Sequence, residues 1–150
     1  VSRVSKQVLG IACLVIAALV GMAFYSTNVF TERNRFVPAK IFEAAFDESV
    51  ARAEELQGVK DDSTQYDVRL KFKYPHEPKP FHEDEYKTAL CYEARNWFNE
   101  KYPGEKSLQE MDFLKFKQRR KNETTMVTNE WILYNPHTDY VYYRIFGTSR

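Results

Sequence analysis

The sequence predicts an α+β protein in which one N-terminal transmembrane helix precedes a small soluble domain with two main helices and an antiparallel sheet of about three to four strands. An uncharged apolar run near the start of the 150-residue chain, one strictly alternating segment, and a final stretch rich in β-branched and aromatic residues lead to this expectation. The expected organisation is a short tail over 1–7, a transmembrane helix with its interface over 8–31, and a membrane-anchored domain over 32–150.

The apolar run contains no charged residue between Lys6 and Glu32, and residues 8–25 read VLGIACLVIAALVGMAFY. A helix needs about 20 residues to cross a hydrocarbon core of about 30 Å. The run has that length, whereas the apolar part of a secretory signal peptide usually has about 7 to 15 residues. Aromatic and polar residues follow it, as at a membrane interface. The run is therefore predicted to span a membrane once.

Small residues spaced by four along this run predict a ridge that lets a second helix pack closely. The ridge consists of Cys13, Ala17 and Gly21. The first residue is Val rather than Met, which suits removal of a mitochondrial presequence. Cys91 is the second and last cysteine, so the soluble part has no internal disulfide, which disfavours an extracellular home. The predicted location is the mitochondrial inner membrane.

Two helices are predicted in the soluble part. The first covers residues 39–57, which are rich in Ala, Glu and Leu with one apolar stripe, and Gly58 ends it. The second covers residues 83–102, with an apolar face and three acids in its first turn, and Pro103 ends it.

Three strands are predicted from their residue patterns. Residues 66–74 alternate Tyr, Val, Leu, Phe and Tyr with charged residues, which is typical of a half-buried strand in an antiparallel sheet. Residues 124–134 and 140–146 are rich in β-branched and aromatic residues, and NPHTD between them predicts a hairpin turn. From residue 107 the signals conflict, because a capping box predicts a short helix and DFLKFKQ predicts a strand. We expect a short turn of helix that passes into a strand.

The stretch KYPHEPKPFHEDEY over residues 73–86 contains metal-ligand types, and His76 and His82 are its histidines. A zinc site needs three or four ligands at suitable spacing. The prolines at 75, 78 and 80 favour an extended backbone at about 3.1 Å per residue, which keeps the two imidazoles apart. We interpret the stretch as a connector between a strand and a helix, and we expect no metal or other cofactor.

The run KFKQRRK over residues 115–121 predicts either a solvated strand end or a surface that contacts anionic lipid or an acidic partner. Its candidate contact residues are Lys115, Lys117, Arg119, Arg120 and Lys121. The final hairpin carries aromatic residues on both faces, so it is expected to lie between helices and also to meet another protein. Trp131 and Tyr142 are its candidate contact residues.

No motif for a nucleophile, a phosphate loop or a dinucleotide site occurs, and a lone Cys91 is more typical of packing than of catalysis. A net charge of +1 argues against nucleic-acid binding. We therefore expect a non-catalytic, single-span accessory subunit of a multi-subunit membrane complex, first a mitochondrial respiratory-chain complex and second an import or assembly complex. Its expected partners are other membrane-protein subunits and the lipid bilayer, without a small-molecule substrate.

Two other hypotheses remain open from the sequence. One is a membrane-tethered enzyme or metal-binding domain that uses His76 and His82. The other is a lumenal membrane protein of the secretory pathway, because Asn122, Glu123 and Thr124 form a glycosylation triplet.

Overall fold

The structure is a computed structural model, and it describes residues 13–20, 36–61, 66–88, 92–109 and 113–149. The chain divides into two compact units, Val1–Phe36 and Val37–Arg150. In the first unit residues 13–20 form helix α1. The second unit contains every other helix and strand that the structure describes.

Among its described residues, the second unit has two α-helices, α2 (Pro38–Ala45) and α3 (Tyr92–Lys101). Three short 3-10 turns cover Val50–Arg52, Glu83–Glu85 and Lys106–Leu108. The strands are β1 (Glu54–Asp61), β2 (Asp67–Lys73), β3 (Lys87–Thr88), β4 (Lys115–Asn122), β5 (Met126–Tyr134) and β6 (Tyr140–Ser149). They form one antiparallel sheet in the order β1-β2-β6-β5-β4-β3.

One face of the sheet is covered by α2. The alternation in β2 places Val68, Leu70 and Phe72 on this face, and each is at most 1% exposed. Phe42 of α2 meets Phe72 edge to face with ring centres 5.1 Å apart, and Phe46 meets it at 5.7 Å. Such aromatic pairs add about 0.5–1.5 kcal/mol each beyond their buried area. The α2 face therefore holds an aromatic core.

The other face of the sheet is covered by α3 and the 3-10 turn that follows it. Its buried cluster consists of Ala94, Phe98, Leu108, Phe116, Trp131, Leu133 and Tyr142. In the β5-β6 hairpin, Ile132 lies opposite Tyr143 on the α2 face and Leu133 lies opposite Tyr142 on the α3 face. The aromatic residues on both hairpin faces are therefore sandwiched between helices, as predicted.

The predicted strand over 66–74 and the terminal hairpin are confirmed as β2, β5 and β6. The ambiguous segment from residue 107 contains the predicted short helical turn and then β4. Ser107 is no cap, because its side chain is buried and bonds the Tyr142 hydroxyl. The helix ahead of Gly104 ends as predicted, and Gly104 has a φ of +81°. The predicted count of three to four strands is wrong, because the sheet has six.

The helix predicted over 39–57 is also too long, because α2 stops at Ala45 and residues 54–57 belong to β1. The reason is a competing set of tertiary hydrogen bonds. The Asp47 N–H donates to the Lys79 carbonyl at 2.9 Å, and the Phe81 N–H donates to the Ala45 carbonyl at 3.0 Å. Pairing with the proline-rich segment thus replaces the next helical turn.

The second helix begins later than predicted. Residues 83–85 form a 3-10 turn and Lys87–Thr88 pair with β4, and the described part of α3 is Tyr92–Lys101. The pairing with β4 is a non-local contact that helical periodicity does not report. Residues 89–91 lie outside the described residues.

The predicted transmembrane helix over 8–31, and with it the single-pass location in the mitochondrial inner membrane, is corrected by the structure. No helix among the described residues is long and apolar enough to cross a membrane. Within 8–31 the structure describes residues 13–20, which are helical, and the rest of that range lies outside the described residues.

Replacement of Phe98 by Ala is expected to destabilise the domain by about 3–5 kcal/mol, because Phe98 is 0% exposed at the centre of the α3 core. The matched control is Tyr92→Ala on the same helix, since Tyr92 is 60% exposed and its loss should change stability little. Denaturant unfolding followed by tryptophan fluorescence measures both. Equal losses for the two variants would show that α3 does not cover the sheet as described.

Candidate functional site

A buried carboxylate lies at the centre of the α2 face of the sheet. Glu130 is 5% exposed, although it is the charged residue of β5. Its Oε1 accepts hydrogen bonds from Arg119 Nε at 3.2 Å and Nη2 at 2.5 Å. Its Oε2 accepts from the hydroxyls of Tyr86 at 2.5 Å and Tyr143 at 3.2 Å. Four donors therefore compensate the carboxylate for its loss of water.

The register of the sheet builds this cluster. Glu130 lies opposite Arg119 on β4 and opposite Ile145 on β6, while Tyr143 reaches it from β6. Tyr86 comes from the segment just before β3. Burial, and then the bond to Glu130, raises the pKa of Tyr86 well above its ordinary value near 10. Burial and the Glu130 charge raise the pKa of Tyr143 in the same direction.

An open cleft of about 300 Å³ reaches this cluster. Arg119, Glu130 and Tyr143 contribute polar groups to it. Side chains that include Ile41, Phe81 and Ile145 line its apolar part. A general acid or base needs a titration range near the working pH and access to the substrate proton. Here each carboxylate oxygen already accepts two bonds, and the tyrosine pKa values are shifted away from neutrality. The cluster is built for structure rather than for proton transfer.

The cations of β4 meet the acids of the stretch over residues 73–86. Lys117 contacts Glu77 at 3.0 Å and Glu83 at 3.1 Å, and Arg119 Nη1 contacts Glu85 at 2.8 Å. Lys115 lies 3.6 Å from Glu77, and Lys121 lies 2.8 Å from Glu123. Alternate β4 residues share a face of the strand. The α2 face of the cationic run is thus matched by acids of the same chain.

The two histidines lie in different surroundings. His76 Nε2 is 2.9 Å from Glu48 Oε1, and its ring meets Tyr74 edge to face. This bond is the largest contribution that lowers the pKa of Glu48. His82 precedes the 3-10 turn with a φ of +55° and lines the cleft. Within the ranges that the structure describes, no three His, Cys, Asp or Glu side chains come together to hold a metal.

The two predicted aromatic contact residues lie inside the domain. Trp131 is 7% exposed and Tyr142 is 0% exposed, both in the α3 core. Of the predicted ridge, Cys13 and Ala17 are exposed on α1, while Gly21 lies outside the described residues.

Arg144 was not predicted as an organising residue. Its guanidinium stacks 3.7 Å from the Trp97 ring centre and 3.8 Å from that of Phe146. Two bonds of 3.1 and 2.6 Å join it to Asp67. Glu130 was missed as well. Charged residues within the apolar strands β5 and β6 are the sequence signal for both, because such a residue requires a buried partner.

A groove of about 360 Å³ lies beside β4, which we call the β4 groove. Its lining residues are Glu85, Lys87, Gln118, Arg119, Arg120 and Asn129. Successive side chains of a strand point to opposite faces. Gln118 and Arg120 therefore lie on one face and Arg119 on the other. Lys87 and Asn129 pair with Gln118 and Arg120 and share their face, so the groove lies over this face of β3, β4 and β5 and reaches the outer edge of β4 at Arg119 and Glu85.

The Glu130→Gln variant is expected to lose about 3 kcal/mol of stability or more, because Arg119 then lacks its buried counter-charge. Chemical denaturation at pH 7 measures the loss. Glu123→Gln is the matched control, since its ion pair with Lys121 is solvent-exposed and should contribute little. A Glu130→Gln variant as stable as the control would contradict the described cluster.

The Tyr86→Phe variant is expected to reduce the loss of stability at high pH. A raised pKa in the folded state means that the tyrosine contribution is complete below the unfolded value near 10 and is lost as the pH rises beyond it. With rising pH, the unfolding free energy of the native protein should fall more steeply than that of Tyr86→Phe, by at most about 1.4 kcal/mol per pH unit. Unfolding free energies between pH 9 and 11.5 measure it. Identical slopes would show that Tyr86 is not buried against Glu130.

Comparison of the chain with known protein families, with curated proteins and with solved structures yields no match.

Proposed function

We propose that this chain is a non-catalytic subunit of a protein complex and that its domain binds a partner protein. The observation that carries the proposal is the β4 groove, which reaches the open part of the β4 edge and is lined by polar and charged side chains. An uncovered strand edge offers backbone N–H and C=O groups to another chain. Among the surfaces of the described residues, this one best fits a protein ligand.

The charged groups of the α2 face support binding over catalysis. Both oxygens of Glu130 accept hydrogen bonds and the Tyr86 hydroxyl proton is donated to Glu130, so this carboxylate and this phenol are already paired. A catalytic acid or base needs a hydrogen-bonding position that is free, or one whose present partner the substrate readily replaces. The hypothesis of a metal-binding domain lacks support from the described residues, because they contain no set of converging ligands.

Expression of the tagged full chain at its natural level is expected to give a species that migrates well above 17.7 kDa with a fixed ratio of companion proteins. Gentle extraction, size-exclusion chromatography and mass spectrometry measure mass and stoichiometry together. An unrelated chain with the same tag is the control. The same experiment identifies the host complex, for which the sequence suggests respiratory-chain, import and assembly complexes. A monomer without companions would refute the proposed function.

A further inference from the structure

We propose that the β4 groove binds an acidic, extended segment of the partner protein, which adds as a strand to the open edge of β4. This inference rests on the proposed function and specifies the chemistry of the partner. It depends on three features of the groove: the uncovered strand edge, the space beside that edge, and the charge of the lining residues.

Part of the β4 edge is uncovered because β3 does not begin before Lys87. β4 pairs with β5 over its whole length, from Lys115 to Asn122. On the other side β3 covers Lys117 and Gln118. Within the described part of the chain, residues 119–122 have no strand neighbour on that side. About half of their backbone groups point outward, over a length of about 13 Å. That edge accommodates a peptide of about four residues.

The segment before β3 does not continue as a strand in the space beside this edge. Continuing the register of Lys87 with Gln118 would place residues 86 and 85 beside Arg119 and Arg120. The chain instead forms the 3-10 turn Glu83–Glu85, and the hydroxyl of Tyr86 reaches Glu130. The burial of Glu130 therefore stops β3 from extending. An added strand would continue the line of β3 along β4.

The lining of the β4 groove has an excess of positive charge. Arg119 is paired with Glu130 and with Glu85, so the positive excess comes from Lys87 and Arg120. Gln118 and Asn129 add amide groups that donate and accept hydrogen bonds. Complementary charge selects partners and speeds association. An acidic segment is the occupant that this lining favours.

Glu85 shows how an acid of the partner would bind. Its carboxylate lies 2.8 Å from Arg119 Nη1, and its side chain is 50% exposed. An exposed ion pair of this kind contributes little to stability. A glutamate or aspartate of the partner can therefore replace Glu85 at Arg119, while Glu130 continues to hold the inner side of the guanidinium.

A second copy of this chain is a poor occupant of the groove. Pairing two β4 edges would bring Arg120 and Lys121 of one copy toward the same cations of the other, and like charges across strands are destabilising. Cations on an edge strand discourage such self-pairing. An acidic partner turns the same charges into attraction. The opposite sheet edge, β1, has a bulge between Glu54 and Gln57 that interrupts its register.

The test uses the full chain and a fluorescein-labelled eight-residue peptide that alternates glutamate with threonine. Fluorescence anisotropy is expected to show saturable binding that weakens with salt. Two control peptides separate charge from strand pairing. One carries lysine in place of glutamate. The other is the acidic peptide methylated on every second backbone nitrogen, prepared in two registers that methylate either the odd-numbered or the even-numbered residues. The lysine peptide should not bind, and one methylated register should bind at least about tenfold more weakly.

Three variants locate the site on the protein. Arg120→Glu should weaken binding of the acidic peptide by about tenfold or more, because it reverses a charge in the groove. Glu85→Gln should strengthen binding up to about fivefold, because it removes the competing carboxylate. Lys106→Glu is the control, because this exposed residue lies outside the groove and should leave affinity unchanged. Denaturant unfolding verifies that each variant is folded.

The inference is overturned if both methylated registers bind as well as the parent peptide, or if single-stranded RNA of equal charge binds equally well. It is also overturned if folded Arg120→Glu and Glu85→Gln retain native affinity. Should the native chain co-migrate with a companion while these variants leave that association unchanged, the proposed function stands and the groove is not its surface. Absence of both companion and peptide binding refutes the two proposals together.

Discussion

The apolar character of the β5-β6 hairpin on both faces is the constraint on which the domain depends. Ile132 and Tyr143 face one side, and Leu133 and Tyr142 face the other. An antiparallel sheet commonly exposes one polar face to solvent, but both faces of this hairpin carry large apolar side chains. Each face therefore requires its own helix, and the chain places α2 before the sheet and α3 in its middle. The result is a sheet between two helical layers, with a separate core on each side.

The buried Glu130 carboxylate adds a second constraint. Removing a charge from water costs several kcal/mol unless hydrogen bonds and a counter-charge replace the hydration. Arg119 and the hydroxyls of Tyr86 and Tyr143 provide that replacement. Recruiting Tyr86 turns the chain away from β4, so β3 does not begin before Lys87. A requirement of the interior thus determines which part of the sheet edge stays open.

Ion pairs link two charged segments that lie far apart in the sequence. The acids of residues 77–85 and the cations of residues 115–121 resemble a metal site and a basic surface when each is considered alone. In the fold they face each other, with Lys117 between Glu77 and Glu83 and Arg119 beside Glu85. The pairs made by Glu83 and Glu85, whose side chains are about half exposed, contribute little stability individually. Their effect is to confine the unmatched positive charge to the groove side of β4.

The sequence by itself determined the elements whose signals are local. The alternation of residues 66–74 predicts β2, and the NPHTD turn between two β-rich segments predicts the hairpin, because both patterns span only a few neighbouring residues. Tertiary structure decided the lengths of both helices. Hydrogen bonds from residues 45–47 to residues 79–81 end α2, and pairing of Lys87–Thr88 with β4 delays α3. Tertiary structure also decided the site, since Glu130, Arg119 and Tyr86 come from three separate segments. Their chemistry arises from register and burial, which depend on distant parts of the chain and leave no periodic signal in any one segment.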